Sequence, residues 1–140
     1  MKRILLAPLA ALALSSTPAL AGDPTGMWLT EDGEAKIKVA ACGSAMCGTI
    51  AWLKEPNDKA TNKPKTDKNN ADASLRNRPI IGSPVVLSMK PDGNDKWSGQ
   101  LYNAEDGKTY SGNIVLAGNT LKVQGCVTII CKTKSWTRTN

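Results

Sequence analysis

Trp97-Ser98-Gly99-Gln100-Leu101-Tyr102-Asn103 runs into Ala104-Glu105-Asp106-Gly107, and Lys108-Thr109-Tyr110-Ser111-Gly112-Asn113-Ile114-Val115-Leu116 runs out of it. In the first run Trp97, Gly99 and Leu101 share one side; in the second, Tyr110, Gly112, Ile114 and Leu116 do. A period of two is the mark of a strand with one buried face. Glu-Asp-Gly between the runs supplies turn chemistry, so the two strands form an antiparallel hairpin. Gly118-Asn119 repeats the signal, and Leu121 and Val123 mark the next strand.

The same grammar extends outward in both directions. Upstream lie Met27–Thr30, the turn Glu31-Asp32-Gly33, and Ala35–Ala41, which sets Ala35, Ile37, Val39 and Ala41 on one face and Lys36 and Lys38 on the other. Thr49–Leu53 and Pro84–Met89 follow, the latter ended by Pro91-Asp92-Gly93-Asn94, and Lys132–Arg138 closes the series. Eight strands joined mostly by short turns predict an all-β fold: a small eight-stranded antiparallel meander barrel, because closure removes exposed edges. The exception is one long loop between strands 3 and 4, Lys54–Asn77, rich in Lys, Asn, Asp and Pro. A loop of that length in a small domain is either functional or mobile. A short helix is expected near Ala71–Leu75, capped by Asn69 or Asn70.

Residues 1–21 have the three parts of a secretory signal peptide: Lys2 and Arg3, the apolar run Ile4–Leu14, and Ala19-Leu20-Ala21 before the cut. The apolar run is short for a bilayer span. No cysteine stands near the cut for lipoprotein attachment, so a soluble periplasmic or secreted chain of one domain, residues 22–140, is expected. Eighteen basic residues face twelve acidic ones, and Lys2 and Arg3 leave with the signal. The remaining basic excess is mild and spread along the chain, which reads first as a solvated surface. Export removes nucleic acid as a partner.

Four cysteines stand in two matching frames, Cys42-x₄-Cys47 and Cys126-x₄-Cys131. Three pairings are open. Each frame can close on itself across a tight reversal, and proximity favours the local bridges Cys42–Cys47 and Cys126–Cys131. On chain entropy a six-residue loop yields only about 2 kcal/mol, against 4 to 5 for a pairing between the frames. Four thiolates holding zinc is the rival, but the spacing is loose and an oxidising compartment favours disulfides.

The chain has no histidine, so Ser-His and Cys-His nucleophiles and every histidine metal site are excluded. The acids fall in turns, Glu31/Asp32, Asp92/Asp95 and Glu105/Asp106, where turn formation explains them without catalysis. No catalytic residue, no metal and no cofactor is expected, and the chain reads as a non-enzyme. Asp67, Asn69, Asn70 and Asp72 lack the spacing of a calcium loop. Arg76 and Arg78, just before Pro79, are fixed forks that suit a carboxylate or phosphate, or salt bridges to nearby acids. Four tryptophans in a chain without phenylalanine, Trp28, Trp52, Trp97 and Trp136, all fall in predicted strands. They serve either as core or as the wall of a cavity, and Gly99 and Gly112 would leave room for a ligand beside them.

Gly26-Met27-Trp28 on the first strand, with Arg138 near the end of the last, resembles the lipocalin arrangement, in which a tryptophan closes one end of the barrel and a late arginine packs on it. A longer ordered set covers nearly the whole mature chain. It comprises Asp23-Pro24-Thr25-Gly26-Met27-Trp28, Cys42-Gly43, Met46-Cys47-Gly48-Thr49-Ile50-Ala51-Trp52-Leu53 and Leu75-Arg76-Asn77-Arg78-Pro79-Ile80. Trp97-Ser98-Gly99, Gly107-Lys108-Thr109-Tyr110 and Cys131-Lys132-Thr133-Lys134-Ser135-Trp136-Thr137-Arg138 complete it. This set is similar to a family of exported bacterial proteins, domain of unknown function 2147 (DUF2147). The resemblance implies a lipocalin/calycin-like barrel and carries over no activity.

Fold and residues together suggest an exported binding protein with a small apolar or anionic amphipathic ligand in the barrel. Trp52, Trp97, Leu101 and Tyr110 would line it, with Arg76 or Arg78 at an anionic head and Lys54–Asn77 across the open end. Trp28 and Arg138 would be structural. Two rivals use the same surface: a module that inhibits a periplasmic or host hydrolase, and a protein that associates with envelope lipid through its lysines.

Overall fold

The computed structural model describes residues 22–140, with Ala7, Pro8 and Ala10 ahead of them. The rest of the expected signal segment, 1–21, lies outside the described residues. Eight strands form a closed antiparallel barrel in sequence order: β1 Gly26–Leu29, β2 Ala35–Cys42, β3 Ala45–Leu53, β4 Pro84–Pro91, β5 Lys96–Asn103, β6 Lys108–Ala117, β7 Thr120–Val127 and β8 Ile130–Thr139. β1 pairs with β2 on one side and β8 on the other, Trp28 lying opposite both Ile37 and Arg138, so neither end of the sheet is left unpaired. One face of the sheet is therefore interior throughout, which is why period-two sequences fill it.

The core comes from those alternating positions: Ile37 and Val39 on β2, Ile114 on β6, Leu121 and Val123 on β7, and three tryptophans, Trp28, Trp97 and Trp136. Each large side chain buried this way stabilises the fold by about 1.5–3 kcal/mol. Two irregularities reset the alternation. Lys36 pairs with Trp52 but Ile37 pairs with Ile50, leaving Ala51 as the extra residue of a bulge. Ile50 and Leu53 then share the inner side, and Trp52 turns out. On β4, Ser88 takes a positive φ of 42°, and Val86 and Met89, three residues apart, are both buried.

Gly99 and Gly112 do not leave room. A Cβ on Gly99 would stand 3.0 Å from Met89 Cα, and one on Gly112 would stand 2.7 Å from Leu101 Cδ1. Neighbouring backbone and side-chain atoms already occupy those spaces, so the glycines serve close packing.

Both disulfides are local. Cys42–Cys47 spans the β2–β3 hairpin and Cys126–Cys131 the β7–β8 hairpin, with Cα separations of 5.8 and 4.1 Å. Strand direction puts them at opposite ends of the barrel, the first beside the end that Trp28 closes and the second at the open end.

The long connection from β3 to β4 has its own order. Asn57 bridges to Pro64 and Thr66 to Pro79, forming a small flap followed by a short ladder. Between Thr66 and Pro79 the expected helix is a single 3-10 turn, Ala73–Leu75, capped by Asp72 rather than by Asn69 or Asn70. The Asp72 carboxylate accepts the Ser74 N–H, the usual task of an N-cap.

Candidate functional site

The two ends of the barrel are built differently. At the closed end Trp28 is fully buried and its indole N–H donates to the Pro24 carbonyl at 2.9 Å. The Arg138 guanidinium lies 4.4 Å from the ring centroid and donates to the carbonyls of Asp23 and Thr25 at 2.7 and 2.9 Å. Residues 22–25 are thereby drawn across the barrel bottom. Gly26, at a φ of +129°, lets the chain turn in beneath the guanidinium, where a Cβ would come within 3.1 Å of Nη1.

At the other end the loop is fastened by a buried carboxylate. Asp67 has no exposed surface; its Oδ1 accepts from the Tyr102 hydroxyl at 2.6 Å. Its Oδ2 accepts from Asn70 Nδ2 at 2.8 Å and Arg78 Nε at 2.9 Å, and Arg78 Nη2 lies 2.8 Å away. Burial pushes this carboxyl up, but the hydrogen bonds from Tyr102, Asn70 and Arg78 outweigh it and hold it below the ordinary carboxylate range. Burial, followed by the Asp67 contact, raises the Tyr102 hydroxyl. Next to this clasp Asn69 Nδ2 donates to the Glu105 carbonyl at 2.9 Å. Gly107 is in the left-handed region at a φ of +72°, and the Asn69 carbonyl oxygen occupies the place where its Cβ would be, 1.7 Å away. The loop is seated on β5 and on the β5–β6 turn.

Between the closed end and the clasp the barrel interior is open to solvent, and it forms part of a cavity of about 1450 Å³ that also takes in the mouth and the space beside loop residues 55–69. Its inner wall is apolar: Ile37, Ile50, Leu53, Leu101, Val123 and Trp136. Above Trp136 on β8, the same inward parity brings Lys134 and then Lys132 onto the wall, and Ile130 to the mouth. Gly125 is the β7 partner of Lys132, and a Cβ there would meet only ordinary contacts beyond 3.6 Å. The rim carries acids from three turns, among them Asp32, Asp58 and Glu105. The β7–β8 hairpin forms part of the mouth with an apolar tip, where Ile129 is 94% exposed.

Of the six residues expected to meet a ligand, the structure brings Leu101 and Tyr110 to the cavity. Tyr110 donates to the Asp106 carboxylate at the rim. Trp97 is buried in the core and is not part of the cavity wall. Trp52 is on the outside, 39% exposed, with Lys36 Nζ 5.0 Å from its ring centroid; the Ala51 bulge is the reason. Arg78 is committed to Asp67 and to the face of Tyr102, and Arg76 Nε to the Asn70 carbonyl at 2.8 Å. Neither arginine is among the lining residues. Lys132 and Lys134 were missed as wall residues, although two-residue alternation counted back from Trp136 points to both. Among the described residues no group of three potential metal ligands occurs.

The sequence matches, over residues 26–138, the family described as "Uncharacterized protein conserved in bacteria (DUF2147)". The fold is similar to the solved structure titled "Protein HP1028 from the human pathogen Helicobacter pylori belongs to the lipocalin family". The TM-score is 0.70 at 22% sequence identity, with 84% of each chain covered. No curated protein matches the chain.

Proposed function

The chain belongs to the DUF2147 family, and from that premise we propose that it is an exported, non-enzymatic binding protein that holds a small apolar or amphipathic molecule inside a lipocalin-like barrel. The observation that carries this reading is the barrel's cavity, apolar on its inner wall and open at one end. Binding sites for small molecules are typically concave, largely apolar and of several hundred to a thousand Å³. Two disulfides fit an oxidising compartment such as the periplasm. Binding of this kind requires no cofactor and no nucleic acid.

A role as an inhibitor acting through the long loop has less support. In that loop's second half Asp67 and Asn70 are buried, and Asn69, Arg76 and Arg78 each make a hydrogen bond to the barrel or to the loop itself.

Native mass spectrometry of protein purified from its own periplasm, with titration of the neutral fluorescent probe N-phenyl-1-naphthylamine, tests the proposal. A lipid-sized adduct, or saturable probe uptake that is lost in Gly125→Phe, is the expected result. A bare mass with no uptake by the wild-type chain would sink it. Gly125 is suited to the blocking variant because its backbone is unstrained and the new ring would project into the cavity.

A further inference from the structure

We propose that Lys132 and Lys134 form a head-group site at the mouth of the barrel that selects single-chain amphiphiles with an anionic head, the acyl chain lying toward Trp136. This rests on the cavity reading above and adds to it the chemical class of the ligand.

Trp136 is 6% exposed and points inward, so Lys134 and Lys132, two and four residues earlier on a regular strand, stand on the same interior face. Both register with inward positions of β7, Lys134 with Val123 and Lys132 with Gly125. Both lysines lie in the exposed, mouth-proximal half of β8, so their ammonium groups meet solvent while the strand's inward row leads down to the buried Trp136. Gly125, which has no side chain, stands opposite Lys132, and a Cβ there would meet Leu101 and Tyr110 only at ordinary contact distance.

Their charges are not used by the fold. Among the described residues the ion pairs are Lys59–Glu55, Arg78–Asp67 and Lys96–Asp92, so neither lysine has a carboxylate within 4.0 Å. The nearest acids have other partners. Glu31 accepts the Ser135 N–H, and Asp32 accepts the Thr30 hydroxyl and the Glu34 N–H. Lys134 acts on Asp32 only as one of the weaker influences that lower its carboxyl. Two ammonium groups thus stand over an apolar floor without a fixed counter-charge. An amphiphile inserted tail-first would bring its head to their level.

Competition for bound N-phenyl-1-naphthylamine at neutral pH by dodecanoate, dodecanol and dodecylamine reads the head group alone, because the tail is constant. Dodecanoate is expected to displace the probe at about tenfold lower concentration than dodecanol, the size of effect that two solvent-accessible charge pairs supply. Dodecylamine is expected to be the weakest of the three. The double variant K132M/K134M keeps both stems and removes both charges; it should bring dodecanoate to the level of dodecanol and leave dodecanol unchanged. Lys122→Met, on the outer face of β7, controls for net charge and should keep the preference. Equal displacement by dodecanoate and dodecanol, or a preference that survives in the double variant, overturns the head-group site and leaves the cavity standing. Failure of all three amphiphiles and of the probe overturns both.

Discussion

The closed end and the mouth of this barrel solve the same problem, covering an opening, with opposite materials. The closed end uses a fully buried tryptophan, and the arginine over it bonds only to backbone carbonyls. Such a plug depends on the path of residues 23–25 and hardly on their side chains. At the mouth the cover is a loop held through one buried carboxylate shared by a tyrosine, an asparagine and an arginine. Filling an end with indole leaves no interior space, whereas fastening a loop by its polar side chains leaves the space beneath it open. The contrast accounts for where the cavity lies.

The largest effect is expected at Asp67. Asp67→Asn removes the charge that Arg78 pairs with and gives Asn70 and Arg78 a donor to face. A fully buried pair broken this way costs 3–5 kcal/mol, and Arg78 is partly exposed, so about 3 kcal/mol is expected in urea unfolding. Trypsin should then cut between Lys65 and Arg78. Because the Asp67 carboxyl is held below its ordinary value, its contribution is present above about pH 4 and is lost as pH falls through the depressed value. Wild-type melting temperature should therefore drop in that acid range more steeply than that of the Asn variant.

Gly107→Ala sharpens the loop side. Gly33 has nearly the same positive φ but nothing within 4 Å of its Cβ site. Gly33→Ala should cost only backbone strain, about 1 kcal/mol, and Gly107→Ala about 2 kcal/mol, since the Asn69 carbonyl must also move. Equal costs would mean that the loop does not press on the turn. At the closed end, Arg138→Met removes the cation over Trp28 and two carbonyl contacts, and should cost about 1.5 kcal/mol with the cavity and its probe affinity unchanged. The smallest effect belongs to Trp52→Ala: under 1 kcal/mol by thermal melting and no change in probe uptake, as expected for a side chain on the outer wall.

The strands were legible because most inward rows are apolar and most reversals carry turn chemistry. The Trp28–Arg138 plug was legible through its resemblance to the lipocalin pattern. The wall of the cavity was not, for two local reasons. A single extra residue at Ala51 reverses the parity of everything after it, so Trp52 leaves the interior and Leu53 enters. On β8 the row Lys132, Lys134, Trp136 mixes charge with indole, and charge reads as outside until the tryptophan is used as the anchor. The clasp was hidden for a different reason. Tyr102 follows Leu101 on the outer face of β5, and only the docked loop makes that side an interior as well.

β1 and β8, whose pairing closes the sheet, also bring the first and last described residues of the barrel to one side of it. Gly22 donates to Asp95 in the β4–β5 turn, and Thr139 lies opposite Met27, both remote from the mouth. A tether fixed at either place, whether a fusion partner, a bead or a sensor surface, would hold the molecule like a cup by its base. Immobilised in that orientation, the barrel would present its opening to the sample.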